Sequence, residues 1–527
     1  MTIPSIKKHL PSLVSLLTFS ILLAIISFNG SFGDEHENFV AGWFMSKGLM
    51  PFRDFFFHHA PLPFFISAIL TWFSGQTFVV YRVAILIFHI ITWAVLLTFT
   101  DKKIHTPIVI SMIIIALMTP KLASYMFLAD TFMAISLVAI IVLYASYVIN
   151  QKPPSTQLFI LITIYSFIGI WSSITMIIPF VIATIIFLLM ISPTIKDSNQ
   201  TMIIRNTAVF VAVHLIFPIY FFITGAFKEF IWSLFQYNNQ YYFPLRLAEN
   251  DTERNLGMLY RIINQFIIYI SRQSMIIWDS AWVFTLTIKE VFHEYIFTHS
   301  VSLLLQNISV AFKVFYESLL DFQTVGFIAI LLIITMSIRK GFVLFFASLV
   351  LIITLRPRTN GLFHLAPFFY VVVFLSALVM IYSIKTKKIL HSLFSFATII
   401  LFIVAAIPQY HEQLTFDIPI IDYKYIERAE SVTSKSSDGE KLLSLDGNPI
   451  IYQLSNRMPA SRYTYYYPWF HQVDQIRHEV EQTIIQRQAD VVYIKPPVEE
   501  FFAPELVQKV DSGYTPVKAG VYRITQR

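Results

Sequence analysis

Residues 11–37, "PSLVSLLTFSILLAIISFNGSFGDEHE", join an apolar run directly to a cluster of ionisable side chains. Residues 12–28 carry no charge, and a helix over such a run is long enough to cross a bilayer core of about 30 Å. The start of the chain resembles a signal peptide, but no small-residue cleavage site follows the apolar run. We therefore expect an uncleaved first transmembrane helix that delivers acidic residues to the membrane surface.

The composition of the whole chain extends this interpretation. Of its 527 residues, 56% are hydrophobic and 13% charged, with a mean hydropathy of +0.65, whereas soluble domains carry roughly 25% charged residues. The apolar residues fall into separate runs of roughly 15–22 residues, which is typical of a polytopic α-helical membrane protein. The absence of cysteine excludes disulfides and thiolate sites. The net charge of +6 forms no basic stripe, so we predict no nucleic-acid partner.

Hydropathy predicts about eleven transmembrane helices. They are expected at 12–28, 77–100, 106–119, 131–149, 157–170, 172–192, 203–224, 322–338, 342–355, 366–383 and 389–407. Basic clusters between them share one side of the membrane if the amino terminus is cytoplasmic, as the positive-inside rule favours. This predicts an integral plasma (inner) membrane protein whose carboxyl-terminal segment lies outside.

The domain prediction follows from this topology. Residues 1–407 form a transmembrane domain with extracytoplasmic loops at 29–76 and 225–321. The second loop is too long for a simple connection and looks amphipathic, so its segments either lie along the interface or include a missed crossing. Residues 408–527 alternate strand and helix patterns and predict a small extracytoplasmic α/β domain.

Candidate catalytic acids follow the first crossing. Asp34 and Glu35 come first, Glu37 is close behind, and Asp130 in "YMFLADTFMAI" lies at the outer end of a later helix. Partial desolvation raises the pKa of a carboxyl group, which suits a general base. The alternative is an ordinary solvated acidic loop.

Cations are predicted on the same membrane face. Arginine and lysine side chains at a bilayer surface suit a phosphate or diphosphate group, although each residue alone could simply snorkel to the interface. The set is Arg53, Arg82, Lys121, Arg356, Arg358 and His364.

A divalent metal such as Mg, Mn or Zn is a further possibility. Asp34, His58 and His59 offer carboxylate and imidazole ligands close together in the sequence. Their spacing matches no strong metal signature, so interfacial histidines without a ligand role remain the alternative.

The acidic pair Asp34–Glu35 followed by "PFRDFFFHHAPLPFF" resembles the first extracytoplasmic loop of bacterial GT-C (glycosyltransferase C) enzymes. The protein O-mannosyltransferase and lipid A aminoarabinose transferase group is the most similar. "RPRTNGLFHLAPFFY" (356–370) resembles the start of a late helix in these enzymes, and the tail resembles their C-terminal domain. The resemblance implies an inverting transferase that moves a sugar from a polyprenyl-phosphate carrier to a lipid, protein or polysaccharide acceptor on the outer face.

The resemblance also implies residue roles. Asp34, with Glu35 beside it, would activate the acceptor or help bind a metal, and Asp130 would assist. Residues that would hold the carrier phosphate are Arg53, Arg82, Arg356, Arg358 and His364. The segment "FFFHHAPLP" departs from the family pattern and leaves the roles of His58 and His59 open.

Two other functions are weighed against the transferase. A transporter or flippase of lipid-linked envelope precursors needs polar residues near the membrane midplane, but the predicted crossings are almost free of charge. A non-catalytic assembly or sensory protein leaves the clustered acids unexplained. No glycine-rich nucleotide-binding loop is present, as expected for an enzyme that uses a lipid-linked donor.

Overall fold

The computed structural model describes residues 3–75, 77–150, 155–177, 180–181, 184, 197–247, 275, 362–387, 389–415 and 419–525. The helices of the apolar part are α1 (Ile3–Ile26), α2 (Gly33–Ser46), α3 (Leu62–Ser74), α4 (Val79–Phe99), α5 (His105–Met118), α6 (Ala129–Asn150), α7 (Thr156–Ser172), α8 (Asp197–His214), α9 (Ile216–Ile223), α10 (Phe227–Ile231), a π-helix (Trp232–Leu247), α11 (Ala366–Lys385) and α12 (Ile389–Thr415). The helices of the C-terminal part are α13 (Tyr423–Thr433), α14 (Ile450–Ser455), α15 (Pro468–His471), α16 (Asp474–Ile485) and α17 (Pro504–Gly513).

The chain is mostly helical, and five spans among the described residues are long and apolar enough to cross a membrane. These spans are Val79–Phe99, Ala129–Tyr147, Ile204–Ile223, Phe363–Lys385 and Ser392–Thr415. Their positions agree with five of the predicted crossings and identify an integral membrane protein. The predicted crossings at 322–338 and 342–355 lie outside the described residues, so the total of eleven stays a prediction.

Burial separates central from peripheral helices. Most of α6 and α11 is buried; they pack against each other, and α11 also packs against α5. Helices α4 and α12 instead leave large apolar side chains exposed, including Ile91 and Leu393. A helix that is apolar on all sides belongs in the core of a bundle, whereas an exposed apolar face is what lipid would cover.

The first predicted loop folds into two helices. Gly42 of α2 lies against Ser67 of α3, and a Cβ atom built on Gly42 would stand 2.1 Å from the Ser67 Oγ and 2.5 Å from its backbone carbonyl carbon. Only glycine permits this approach. The close packing holds α2, with its acids, along α3.

A five-stranded sheet lies in the C-terminal part of the chain. Its strands are β1 (Lys441–Leu445), β2 (Met458–Pro459), β3 (Val491–Ile494), β4 (Tyr514–Lys518) and β5 (Val521–Ile524), in the order β2-β1-β3-β5-β4. Strand β1 is parallel to β2 and β3, and β5 is antiparallel to β3 and β4. The alternation of strand and helix is as predicted. The domain boundary at 407/408 stays a prediction, and α12 continues to Thr415.

Candidate active site

Helix α2 presents its acids on different faces. Asp34 and Glu35 lie in its first turn, where the positive end of the helix dipole favours negative charge. Asp34 and Glu37 are separated by one helical turn and share a face. Asp34 is half-buried, whereas Glu35 and Glu37 are buried.

Glu35 is paired with Arg82 of α4, and neither side chain is exposed. The Arg82 Nε donates to Glu35 Oε1 at 2.6 Å and its Nη2 to Oε2 at 2.5 Å. The guanidinium also donates to the carbonyl oxygens of Ser27, Asn29 and Gly30. All three of its nitrogens are therefore bonded within the protein. This geometry favours a positioning role for Glu35 and Arg82. The catalytic role of Glu35 and the phosphate-binding role of Arg82 stay predictions.

Asn38 connects α2 to the segment that leads into α6. Its Nδ2 donates to the carbonyl oxygen of Phe127 at 2.9 Å and to that of Asp34 at 3.4 Å. The Phe127 backbone N–H in turn donates to Glu35 Oε1 at 2.7 Å. One amide and one carboxylate thus hold the segment before Asp130 against the beginning of α2.

Asp130 lies in the first turn of α6 and contacts the start of α11. Its Oδ2 is 3.2 Å from the Nδ1 of His364, which occupies a 3₁₀ turn, Leu362–Leu365. The ring of Phe363, the residue before His364, packs on Phe32 with centroids 4.9 Å apart. Phe32 is the N-cap residue of α2. The beginnings of α2, α6 and α11 therefore meet at one end of the bundle.

The remaining predicted cations are placed differently. Arg53 is exposed, and its Nε and Nη2 both donate to the Asp54 carboxylate at 2.8 Å. The Arg53 guanidinium holds the pKa of Asp54 below its usual range. Arg356 and Arg358 lie outside the described residues.

His59 lies beside Glu37, and His58 lies beside Tyr465 of the C-terminal part. The His59 Nε2 is 3.2 Å from the Glu37 Oε2, and the His58 Nδ1 is 3.2 Å from the hydroxyl of Tyr465. Among the described residues, no group of three His, Asp or Glu side chains is placed to bind one metal ion. The described residues thus do not form a site for Mg, Mn or Zn, so the metal stays a prediction and enters no mechanistic step.

Glu37 was noted in the sequence but given no role, and the tyrosines of the C-terminal part were not predicted as site residues. Glu37 is 4% exposed, and its Oε2 has no hydrogen-bond partner among the described residues. Burial, with a contribution from the Glu37 charge, raises the pKa of Tyr465 and Tyr467 well above the usual value. Both phenols therefore stay protonated and can donate hydrogen bonds. The signal in the sequence was the tyrosine-rich run "YTYYYPWF" (463–470).

His36 fixes the C-terminal part against α2. Its Nδ1 is 2.9 Å from the Asn448 Nδ2, and its Nε2 lies near the Ser31 hydroxyl and the Ile420 carbonyl oxygen. Burial lowers the pKa of His36 to about 4. The imidazole is therefore neutral at pH 7 and acts as a hydrogen-bonding link.

Comparisons with known proteins give the fold. No family model and no curated protein matches the sequence. The structure is similar to that of the Archaeoglobus fulgidus oligosaccharyltransferase in complex with Zn and sulfate, with a TM-score of 0.54, 11% identity, and coverage of 97% of this chain and 73% of that one. The same oligosaccharyltransferase tethered to an acceptor peptide matches with a TM-score of 0.51 and 11% identity over 99% and 74% of the two chains.

A third similar structure is ArnT from Cupriavidus metallidurans bound to undecaprenyl phosphate, with a TM-score of 0.43, 11% identity, and coverage of 97% of this chain and 96% of that one. At 11% identity, the two matches with TM-scores above 0.5 show the fold alone. From the match to the archaeal oligosaccharyltransferase, the chain has the GT-C glycosyltransferase fold.

Proposed function

We propose that the chain is an inverting glycosyltransferase that moves a sugar from a polyprenyl-phosphate carrier to an acceptor on the outer face of the membrane. The observation that carries the proposal is the junction of three helix starts, where Asn38 bonds the Asp34 and Phe127 carbonyls and Asp130 contacts His364. An acid at a helix rim, half-open to solvent and close to apolar walls, suits chemistry on a lipid-linked substrate. The fold is consistent with this reaction class.

In the proposed reaction Asp34 is the general base. Its carboxylate takes the proton from the acceptor hydroxyl or amine as the acceptor atom attacks the anomeric carbon. The bond from that carbon to the carrier phosphate oxygen breaks, and the phosphate leaves with the electron pair. Attack from the opposite side inverts the anomeric configuration. Because a lipid phosphate is already a good leaving group, positioning and charge neutralisation are the main tasks.

Asp130 and His364 are proposed to act together. Asp130 orients the imidazole through the 3.2 Å contact, and a protonated His364 would offset negative charge that develops on the departing phosphate. Arg356 and Arg358 precede this turn in the sequence and stay candidates for the same task. Glu35 and Arg82 hold the turn that delivers Asp34.

The proposed donor and acceptor have different support. The motif resemblance around "PFRDFFFHHAPLPFF" implies the polyprenyl-phosphate donor. The oligosaccharyltransferase of the same fold holds an acceptor peptide, which supports a protein acceptor among the lipid, protein and polysaccharide candidates. We also propose that residues 1–407 form a transmembrane domain and residues 408–527 an extracytoplasmic domain. The protein then lies in the inner membrane with its amino terminus in the cytoplasm.

Mass spectrometry of envelope lipids, proteins and polysaccharides tests this proposal in the source cell. Cells that lack the chain should lose a hexose or pentose from one class of molecule, and the wild-type gene should restore it. Accumulation of an untransferred lipid-linked sugar should accompany the loss. Loss of the same glycan with the lipid-linked precursor confined to the cytoplasmic leaflet would instead favour a flippase, and an unchanged set of envelope glycans would contradict the proposal.

A further inference from the structure

The strongest unassigned feature is an aromatic surface that the C-terminal part places beside the acids of α2. Tyr467 and Trp469 are half-buried, and their rings are stacked at a centroid distance of 4.3 Å with an interplanar angle of 11°. Tyr242 of the π-helix approaches Trp469 on one side at 6.4 Å and His58 on the other at 4.6 Å. We call Tyr467, Trp469 and Tyr242 the aromatic platform.

Two observations show that the platform is a built feature. A Cβ atom on Gly447 would stand 2.6 Å from a ring carbon of Tyr467, so the glycine makes room for that ring. The Tyr465 ring packs edge-on against Tyr467 at 5.4 Å while its hydroxyl bonds His58. Gly447 and Tyr465 thus position the ring of Tyr467, and Tyr465 is itself bonded to His58.

Polar groups lie next to the platform. Glu37 reaches the platform through two histidines: its Oε2 is 3.2 Å from His59, whose ring lies 4.2 Å from that of His58, which in turn contacts Tyr242. The Glu37 Oε2 is buried and accepts no hydrogen bond among the described residues, although His59 lies 3.2 Å away. A buried carboxylate oxygen with spare acceptor capacity is costly unless a donor reaches it.

We propose that the aromatic platform and Glu37 together bind the ring of a pyranose sugar. The C–H bonds of one sugar face carry partial positive charge and pack on the negative face of an aromatic ring. The hydroxyls at the ring edge donate to Glu37 and accept from the protonated phenols. This deepens the proposed function, on which it rests, because it places sugar recognition between the C-terminal part and α2, the helix that carries the proposed base Asp34.

The ring could belong to the donor or to a glycan acceptor, and equilibrium binding with the full chain in lipid nanodiscs separates them. The first arm compares undecaprenyl phosphate with undecaprenyl phosphates that carry glucose, mannose, galactose or N-acetylglucosamine. The second arm titrates the methyl glycosides of the same sugars in the presence of undecaprenyl phosphate. Neither arm needs turnover, so a failure of the platform is distinguishable from a failure of the proposed catalysis.

We expect the wild type to bind at least one sugar in one arm. Tyr467→Ala and Trp469→Ala should each weaken that binding about fivefold to tenfold, as loss of one ring contact implies, without changing the affinity for undecaprenyl phosphate. Tyr467→Phe keeps the ring and loses only the phenol donor, so it should weaken binding less than Tyr467→Ala. Tyr423→Ala, which removes a 68% exposed tyrosine of α13, is the matched control and should have no effect.

If the platform variants lose sugar binding only in the first arm, the bound pyranose ring belongs to the donor. If they lose it only in the second arm, the ring belongs to the acceptor. Unchanged sugar binding in both platform variants would overturn the proposal. A wild-type chain that binds no sugar of the panel in either arm would overturn it equally. Gly447→Ala serves as a second variant, because it displaces the Tyr467 ring without removing it and should reduce binding in the same arm.

Discussion

Glu35 and Arg82 form an ion pair with no exposed surface at the point where the chain leaves α1 and enters α2. The pair also fixes the carbonyls of the intervening turn and the backbone N–H of Phe127. It therefore joins α1, α2, α4 and the segment before α6 at the rim of the bundle. The position of every proposed catalytic group depends on this junction.

Removing one member of the pair should strongly destabilise the chain. Arg82→Met leaves a buried carboxylate without its cation, which costs about 3–5 kcal/mol. The double variant Glu35→Leu/Arg82→Met removes both charges and should recover part of this loss. Thermal unfolding in detergent measures the difference. Equal destabilisation by the single and double variants would contradict the interpretation that the uncompensated charge is the cause.

Gly42→Ala should disrupt the packing of α2 on α3. The added methyl group would overlap the backbone of Ser67, and overpacking of this kind typically costs about 1–3 kcal/mol. Because the obstacle is backbone, Ser67→Ala should not rescue the variant. Comparing the unfolding temperatures of the wild type and the single and double variants tests this, and full rescue by Ser67→Ala would show that only the hydroxyl is in the way.

Protonation of His36 at low pH should weaken the contact between the C-terminal part and α2. Its pKa is about 4 in the folded chain and 6.5 when exposed, so between these values the unfolded state binds more protons. Stability should therefore be constant above about pH 6.5 and fall by about 1.4 kcal/mol per pH unit from pH 6.5 towards pH 4. Hydrogen exchange over 419–525 as a function of pH measures this. His36→Gln should reduce the slope, and an identical slope in that variant would assign the effect to other groups.

Asn38→Leu should lower transfer without abolishing it. The variant loses the amide that holds Phe127 and the Asp34 carbonyl together and leaves the buried Phe127 carbonyl without its side-chain donor, which costs about 1–3 kcal/mol. Because Asn38 positions the acids, we expect the turnover number to fall more than the affinity for the lipid-linked donor. Steady-state kinetics on the reconstituted protein separate the two. A fall in donor affinity alone would place Asn38 in direct contact with substrate.

Five of the predicted membrane helices coincide with apolar spans among the described residues, because their apolar runs are local signals. Residues 131–149 and 366–383 were predicted as crossings and lie within α6 and α11. The strand at "DVVYIKPP" and the helix at "DQIRHEVEQTIIQRQAD" were local signals too, and both are confirmed.

The site was harder to predict because its contacts are distant along the chain. Asp34, Asp130 and His364 could be placed on one membrane face from topology alone. The pairing of Arg82 with Glu35 could not, since nothing in their spacing distinguishes a buried structural pair from a free phosphate-binding cation. The approach of Tyr465 and Tyr467 to α2 depends on how the C-terminal part docks, and no pattern in either segment encodes that contact.

The most direct test of the account compares Asp34→Asn with Asp54→Asn in a transfer assay on the reconstituted protein. The substitutions remove one charge each from the same loop, but Asp54 is committed to Arg53 at the surface. Loss of a general base should lower transfer about 10²- to 10⁴-fold, so Asp34→Asn should nearly abolish transfer with normal folding and donor binding, while Asp54→Asn stays active. Transfer by Asp34→Asn at the wild-type rate would contradict the assignment of the base and the site built around it.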